Sequence, residues 1–217
     1  ARVVLDASNE PTDVQKARRD PAIRRAYRLV EELMLLANEL VGEELAAQHL
    51  PAIYRVHAPP DADRMEMFAE LASSLGHHLD PAAATQPRKL AQFLRSIEGD
   101  PHEQALNFLL LRSMQQATYS TENIGHFGLA AKHYLHFTSP IRRYPDLLVH
   151  RIVRRLLRRD ALRAPTSISQ LKTTAAEASR LERRAMELER DVIDLYRVVL
   201  MRDRIGEQFD GRITGMA

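Results

Sequence analysis

The chain contains no cysteine at all. That excludes a disulfide framework and any thiolate metal centre, and it agrees with a reducing cytoplasm. No apolar run approaches the roughly 18 residues a membrane helix needs, and nothing resembles a signal peptide, so no membrane association is expected. Also missing is a tight Asp/Glu cluster with metal-ligand spacing in a loop. The acidic pairs Glu31-Glu32 and Glu43-Glu44 fall on helical patterns, where a solvated face is the ordinary reading. No Ser/His/Asp arrangement stands out either, and the nine histidines are scattered. The two standard ways of activating water, metal-bound carboxylates and a histidine triad, are therefore not visible. The opening ARVVLDASNEPTD lacks an initiator Met, and we read the chain as a piece of something larger.

What is present suits a soluble α+β protein that is predominantly helical. The 217 residues, 45% hydrophobic and 28% charged, suffice for a real core. Asp20-Pro21 pairs a capping side chain with a proline at the first helical position, and an apolar stripe (26, 29, 30, 33, 36, 37, 40, 41, 45) follows. AIYRVH reads as a short strand. A helix over 61–75 stopped by Gly76, a loop HHLDPAAATQP and a short helix over 88–97 come next. Asp100-Pro101 with Glu103 signals a capped helix through HEQALNFLLLRSMQQA. Tyr119 to Phe137 reads as turns and short strands, and a helix then runs to about 159. After the linker RAPTS, Ser167 and Gln170 form a capping box for a long last helix. Its seam of Leu181, Ala185, Leu188, Val192, Leu195 and Val199 should lie across its own domain. GEQFDGRITGM reads as a β-strand.

Net charge is only +2, but its distribution is uneven: from Arg142 to Arg163 only Asp146 and Asp160 oppose a basic block. At its head stands HFTSPIRRYPD. Pro140 fixes its own φ and keeps Ser139 extended, and two arginines follow at the expected helix start. Helix-start N–H groups attract anions, and Arg grips phosphate oxygens in bidentate fashion. Cations there oppose the macrodipole, so stability alone does not recommend them. Two readings fit: an anion site using Thr138, Ser139, Arg142 and Arg143, or a salt-bridged structural loop. Arg151, Arg154, Arg155, Arg158 and Arg159 share one helix face, suited to a phosphate backbone or simply solvated. His77-His78 reads as surface. His126 and His133 flank a glycine-rich turn that could serve a site or be structural.

ENIGHFGLAAKHYLHFTSPIRRYPDLLVHR closely resembles the signature segment of the RNase II/RNase R (RNB-domain) exoribonucleases, with the RNase R side nearer. RLVEELMLLANELV, PAIYRVHAPP, MELERDVIDLY and GEQFDGRITGM resemble further family segments in the same order. The resemblance implies that residues 1–204 are the C-terminal part of an RNB catalytic domain and that 205–217 begin an OB-fold RNA-binding domain. It implies a cytoplasmic, processive, Mg²⁺-dependent 3′→5′ hydrolase of single-stranded RNA that releases 5′-mononucleotides and is monomeric when complete. By position, Arg142 would be the catalytic arginine at the scissile phosphate. Glu31, or Glu32 beside it, and Glu189 would face the 3′-terminal nucleotides. His126, Phe127, Thr138, Ser139, Arg143 and Tyr144 would build the surrounding RNA-binding pocket.

The family's metal-binding aspartates are not in this sequence. The piece is therefore expected to be inactive without the N-terminal half of the catalytic domain, its implied partner. The rival expectation is a non-catalytic RNA-binding or scaffold protein of RNB shape.

Overall fold

Helix α1 (Pro21–Ala47) begins where Asp20 accepts a hydrogen bond from Ala22 N–H at 2.7 Å, as the Asp-Pro pair predicts. The computed structural model describes residues 2–8, 10–15, 20–158 and 167–210. The chain divides into two units: residues 34–178, and residues 1–33 with 179–217.

The larger unit holds the packed core. It continues with β3 (Tyr54–Val56), α2 (Ala62–Ser74), α3 (Pro81–Ala84), α4 (Pro87–Ser96), α5 (Glu103–Ser113) and β4 (Thr118–Ser120), then a 3-10 turn over Phe127–Leu129 and α6 (Tyr144–Leu157). The first turns of α7 (Ile168–Arg202) also belong to it. Strands β3 and β4 pair antiparallel, with Arg55 opposite Tyr119. One apolar cluster joins α2, α4 and α5 through Met65, Phe68, Phe93, Ile97 and Leu106. A second packs Leu45 of α1 and Tyr54 and Val56 of β3 against Leu135 and Val149 of α6. A third sets Leu171 and Ala175 of α7 on Ile53 and Tyr119. Each fully buried Leu or Ile contributes about 1.5–3 kcal/mol.

The smaller unit contains the hairpin of β1 (Arg2–Leu5) and β2 (Pro11–Gln15), the first half of α1 and most of α7. In the hairpin turn, Asp6 Oδ1 accepts from Ser8 and Glu10 N–H.

Several expectations are corrected. The segment read as a loop around residue 80 contains α3, because Asp80 caps Ala82 N–H at 3.0 Å and three alanines follow Pro81. Helix α5 starts only at Glu103, whose carboxylate reaches back to Gly99 N–H, and it ends at Ser113 when Met114 turns extended. The apolar stripe of α1 is buried only at its end, where Leu45 and Val41 join the core. Leu29 (62%), Leu33 (58%) and Leu40 (53%) are exposed, whereas Asn38, Gly42 and Leu45 are buried. On α7, Leu181, Leu188, Val192 and Leu195 stay about half exposed, so the seam is not covered. Residues 205–210 form no strand, and 211–217 lie outside the described residues, as do residues 163–166 of the RAPTS linker. No helix among the described residues is long and apolar enough to cross a membrane.

Candidate functional site

Close contact between α1 and the chain at residue 133 sets the position of the site. A Cβ added at Gly42 would lie 2.8 Å from the backbone oxygen of His133, so only glycine lets the helix approach that far. Four residues earlier on the same face, Asn38 is buried. Its Oδ1 accepts from Phe137 N–H (2.9 Å) and Thr138 N–H (3.2 Å), and its Nδ2 donates to the Tyr134 hydroxyl (3.1 Å). A side chain in the middle of a helix thus replaces the backbone partners that this irregular segment lacks.

The next residues turn back on themselves. Ser139 C=O accepts from Arg142 N–H (3.3 Å) and Arg143 N–H (3.1 Å), with Pro140 at the position of a turn where its fixed φ fits. Asp146, in the first turn of α6 and 0% exposed, accepts from Ser139 N–H and from the Arg143 guanidinium, both at 2.8 Å. This negative charge at the helix start answers the macrodipole that two arginines alone would oppose. Arg143 is therefore tied into the loop, as the salt-bridged reading requires.

Arg142 differs. It is exposed, and its guanidinium has no hydrogen bond or ion pair among the described residues. Ile141 beside it is 102% exposed and Tyr144 is half-exposed. Thr138 Oγ1, Arg143 Nε and Asp146 Oδ1 are buried without a partner, which leaves spare hydrogen-bonding capacity around the turn.

Behind the turn runs a chain of rings the sequence did not disclose. Phe127, His57, His126, Tyr134, His136 and Tyr119 follow one another at centroid separations of 5.1–6.2 Å. His57 Nδ1 accepts from Gly128 N–H (3.0 Å), so Nε2 carries the proton it donates to Gln115 C=O (2.7 Å). His136 Nδ1 lies 2.8 Å from the Tyr119 hydroxyl, and the Arg55 guanidinium sits 4.7 Å over the Tyr119 ring. Burial lowers the His136 pKa to about 3, and the Arg143, Arg55 and Arg142 cations press the same way. His126 falls to about 4, through burial first and then His57 and Arg55. Both rings are neutral at physiological pH. The field here is positive and set by arginines.

Asn123 closes the preceding loop by accepting from Gly125 N–H and donating to Lys132 C=O and His133 Nδ1. Phe127 is buried in the helical core, while His126, Lys132 and His133 line a 720 Å³ cavity that also takes in Arg88 and Ile124. On α6, Arg151, Arg154 and Arg158 are exposed and, with Arg155, surround a 210 Å³ hollow. Arg159 lies outside the described residues.

The structure thus brings together Thr138, Ser139, Arg142, Arg143 and Tyr144 on one turn of the larger unit, with His126 in the ring chain beside the separate cavity. Glu31, Glu32 and Glu189 belong to the smaller unit and are exposed there; Glu31 shares a surface hollow with Arg24, Arg28 and Tyr27. Sequence reasoning missed Asn38, His57, Asn123, Tyr134 and His136, and saw Asp146 only as an opposing charge. An Asn inside a helical stripe was the available signal. Among the described residues, the one grouping of three metal-ligating side chains is His77, Asp100 and His102, on the α2–α5 segment.

The RNB domain model matches residues 1–159. Ribonuclease R of Aquifex aeolicus is 39% identical over 216 residues, covering 100% of this chain and 30% of the relative. Mycoplasma genitalium RNase R in complex with ribose-methylated single-stranded RNA superposes with a TM-score of 0.88 at 27% identity, over 99% of this chain and 34% of that one. The same protein in complex with double-stranded RNA gives 0.87 at 28% identity, over 98% and 38%. The chain spans about a third of the length of these relatives. With its helical layout, its Asn38- and Asp146-tied turn and these matches, the chain belongs to the RNB domain family.

Proposed function

We propose that this chain forms the phosphate-gripping wall of a 3′→5′ exoribonuclease site that hydrolyses single-stranded RNA to 5′-mononucleotides. The observation that carries this reading is Arg142: a cation unpaired among the described residues, on a turn whose backbone is held from α1 and from α6. A guanidinium held in place before substrate arrives stabilises charge that builds on a phosphoryl group without reorganising. Arg142 takes the scissile phosphate. Arg143 is a positioning residue that acts through Asp146. Thr138, Ser139, Tyr144 and His126 complete the surroundings of the RNA end, and Phe127 supports them from the core. Glu31 or Glu32, and Glu189, face the terminal nucleotides. The exposed arginines of α6 suit the sugar-phosphate backbone.

Mg²⁺ demands a near-octahedral set of oxygens. The loop's one carboxylate, Asp146, is buried and engaged, and no carboxylate cluster stands near it among the described residues. The residues present do not fit that ion. We assign Mg²⁺ to the part of the domain that carries the aspartates, which is the partner this chain requires for activity. The complete protein is proposed to be a cytoplasmic monomer whose OB-fold begins near residue 205.

The test is Arg142→Ala in the complete protein, assayed on single-stranded RNA. Turnover should fall about 10²–10³-fold, the usual cost of losing one oxyanion contact, with RNA affinity changed only a few-fold. Unchanged turnover would overturn the assignment. A complete protein with no turnover but intact RNA binding would favour the non-catalytic scaffold.

A further inference from the structure

Outside the RNA site, three side chains converge in a way the sequence reading did not anticipate. His77 follows Gly76 in the turn after α2, and Asp100 and His102 sit in the turn that leads into α5. His77 Nε2 lies 3.2 Å from Asp100 Oδ2, and His102 Nδ1 lies 3.1 Å from Asp100 Oδ1. One ligand atom from each residue falls within 4.8 Å of the others. His77 is therefore not the plain surface residue its loop suggested.

We infer that His77, Asp100 and His102 form a binding site for a divalent transition-metal ion of the zinc class. The distances support it. With metal–ligand bonds of about 2.0–2.2 Å, two ligands of a tetrahedral ion stand roughly 3.3 Å apart. The His77 and His102 nitrogens contact different oxygens of Asp100, and with one ligand atom of each residue within 4.8 Å of the others, side-chain rotation suffices to draw the three onto one ion. The donor set argues for the class: two imidazoles and one carboxylate suit Zn²⁺, Co²⁺ or Ni²⁺, whereas Mg²⁺ and Ca²⁺ want mostly oxygen.

The surroundings hold the donors in place. Asp100 Oδ1 accepts from His102 N–H at 2.7 Å, the Glu103 carboxylate accepts from Gly99 N–H at 2.8 Å, and His77 N–H bonds to Ala72 C=O at 2.9 Å. Ala72, Ile97 and Leu106, which flank these turns, are fully buried in one core cluster. The site therefore rests on packed elements, as second-shell support of a metal requires. Access remains: the His77 and His102 side chains are 17% and 49% exposed. Three protein ligands leave a coordination position for water. An ion bound there would staple the end of α2 to the start of α5. This inference does not depend on the exoribonuclease reading.

The test uses the full chain, freed of metal by chelator and titrated with Zn²⁺ against a chromogenic competitor, and with Co²⁺ monitored by its visible d–d bands. One equivalent should bind saturably, and Zn²⁺ should raise the unfolding temperature. His102→Gln, at the more exposed ligand, should weaken binding at least tenfold without unfolding the protein, and His77→Gln should do the same. His78→Gln, at the exposed neighbour, should leave binding unchanged. Failure to bind a stoichiometric ion, or equal losses in His78→Gln and His102→Gln, would overturn the site. The trio would then be an ordinary His–Asp pairing.

Discussion

Replacing Asn38 by alanine tests the architecture of the proposed RNA site most directly. The carboxamide is buried and makes three bonds, two of them to the backbone N–H groups of Phe137 and Thr138. Alanine cannot accept either. Each buried N–H left without a partner costs about 1–3 kcal/mol, so the pair sets a range of about 2–6 kcal/mol. Alanine recovers at most about 0.7 kcal/mol through its better helix propensity. The net loss is therefore about 1.3–5.3 kcal/mol. At about 2–4 °C per kcal/mol for a chain of this size, the melting temperature should fall by on the order of 10 °C. Urea denaturation gives the free energy, and amide hydrogen exchange followed by mass spectrometry locates it. Exchange should accelerate in peptides that span 134–139 before it does so in the α2–α5 core. A loss under about 1 kcal/mol, or unchanged exchange at Phe137 and Thr138, would refute the claim that Asn38 holds the turn.

Asp146→Asn leaves the Arg143 guanidinium, 18% exposed, without its counter-charge and should cost about 3–5 kcal/mol in a denaturation experiment. Adding Arg143→Met should recover part of that loss, and a double variant as unstable as the sum of the singles would contradict the pairing. Gly42→Ala should destabilise by about 1–3 kcal/mol, because the new Cβ meets a backbone oxygen at 2.8 Å rather than a side chain that can yield. Acid stability should follow His126 and His136, whose pKa values drop from 6.5 to about 4 and about 3. The folded state favours the neutral rings, so their contribution is complete above about pH 6.5 and is lost as pH falls through 4 toward 3. His136→Gln should flatten that slope, and an unaltered urea-midpoint profile would show that His136 is not its source.

The elements set by local chemistry were legible in the sequence. Asp20-Pro21 starts α1, AIYRVH contains β3, and Pro140 sits in a turn that carries Arg142 outward. The arrangement that supports Arg142 was not legible, because it relies on residues that an apolar pattern does not score. Asn38 and Gly42 lie on the buried face of α1, one by satisfying loop amides and the other by having no side chain. Leu29, Leu33, Leu36 and Leu40, which make the apolar pattern conspicuous, are exposed. Asp146 reads as one acid among many bases until Ser139 and Arg143 are seen to converge on it from seven and three residues away. His77, Asp100 and His102 are separated by up to two helices in sequence, and no spacing rule joins them.

One consequence of the turn at residues 139–142 concerns how it can be interrogated chemically. Its shape is held by backbone bonds and by Asn38 and Asp146, and the Ile141 side chain supports nothing. Position 141 can therefore carry a bulky photoreactive amino acid such as benzoylphenylalanine without disturbing the loop. Irradiation would then covalently tag whatever molecule lies against the tip, nucleic acid or polypeptide, one residue from the cation that defines the site.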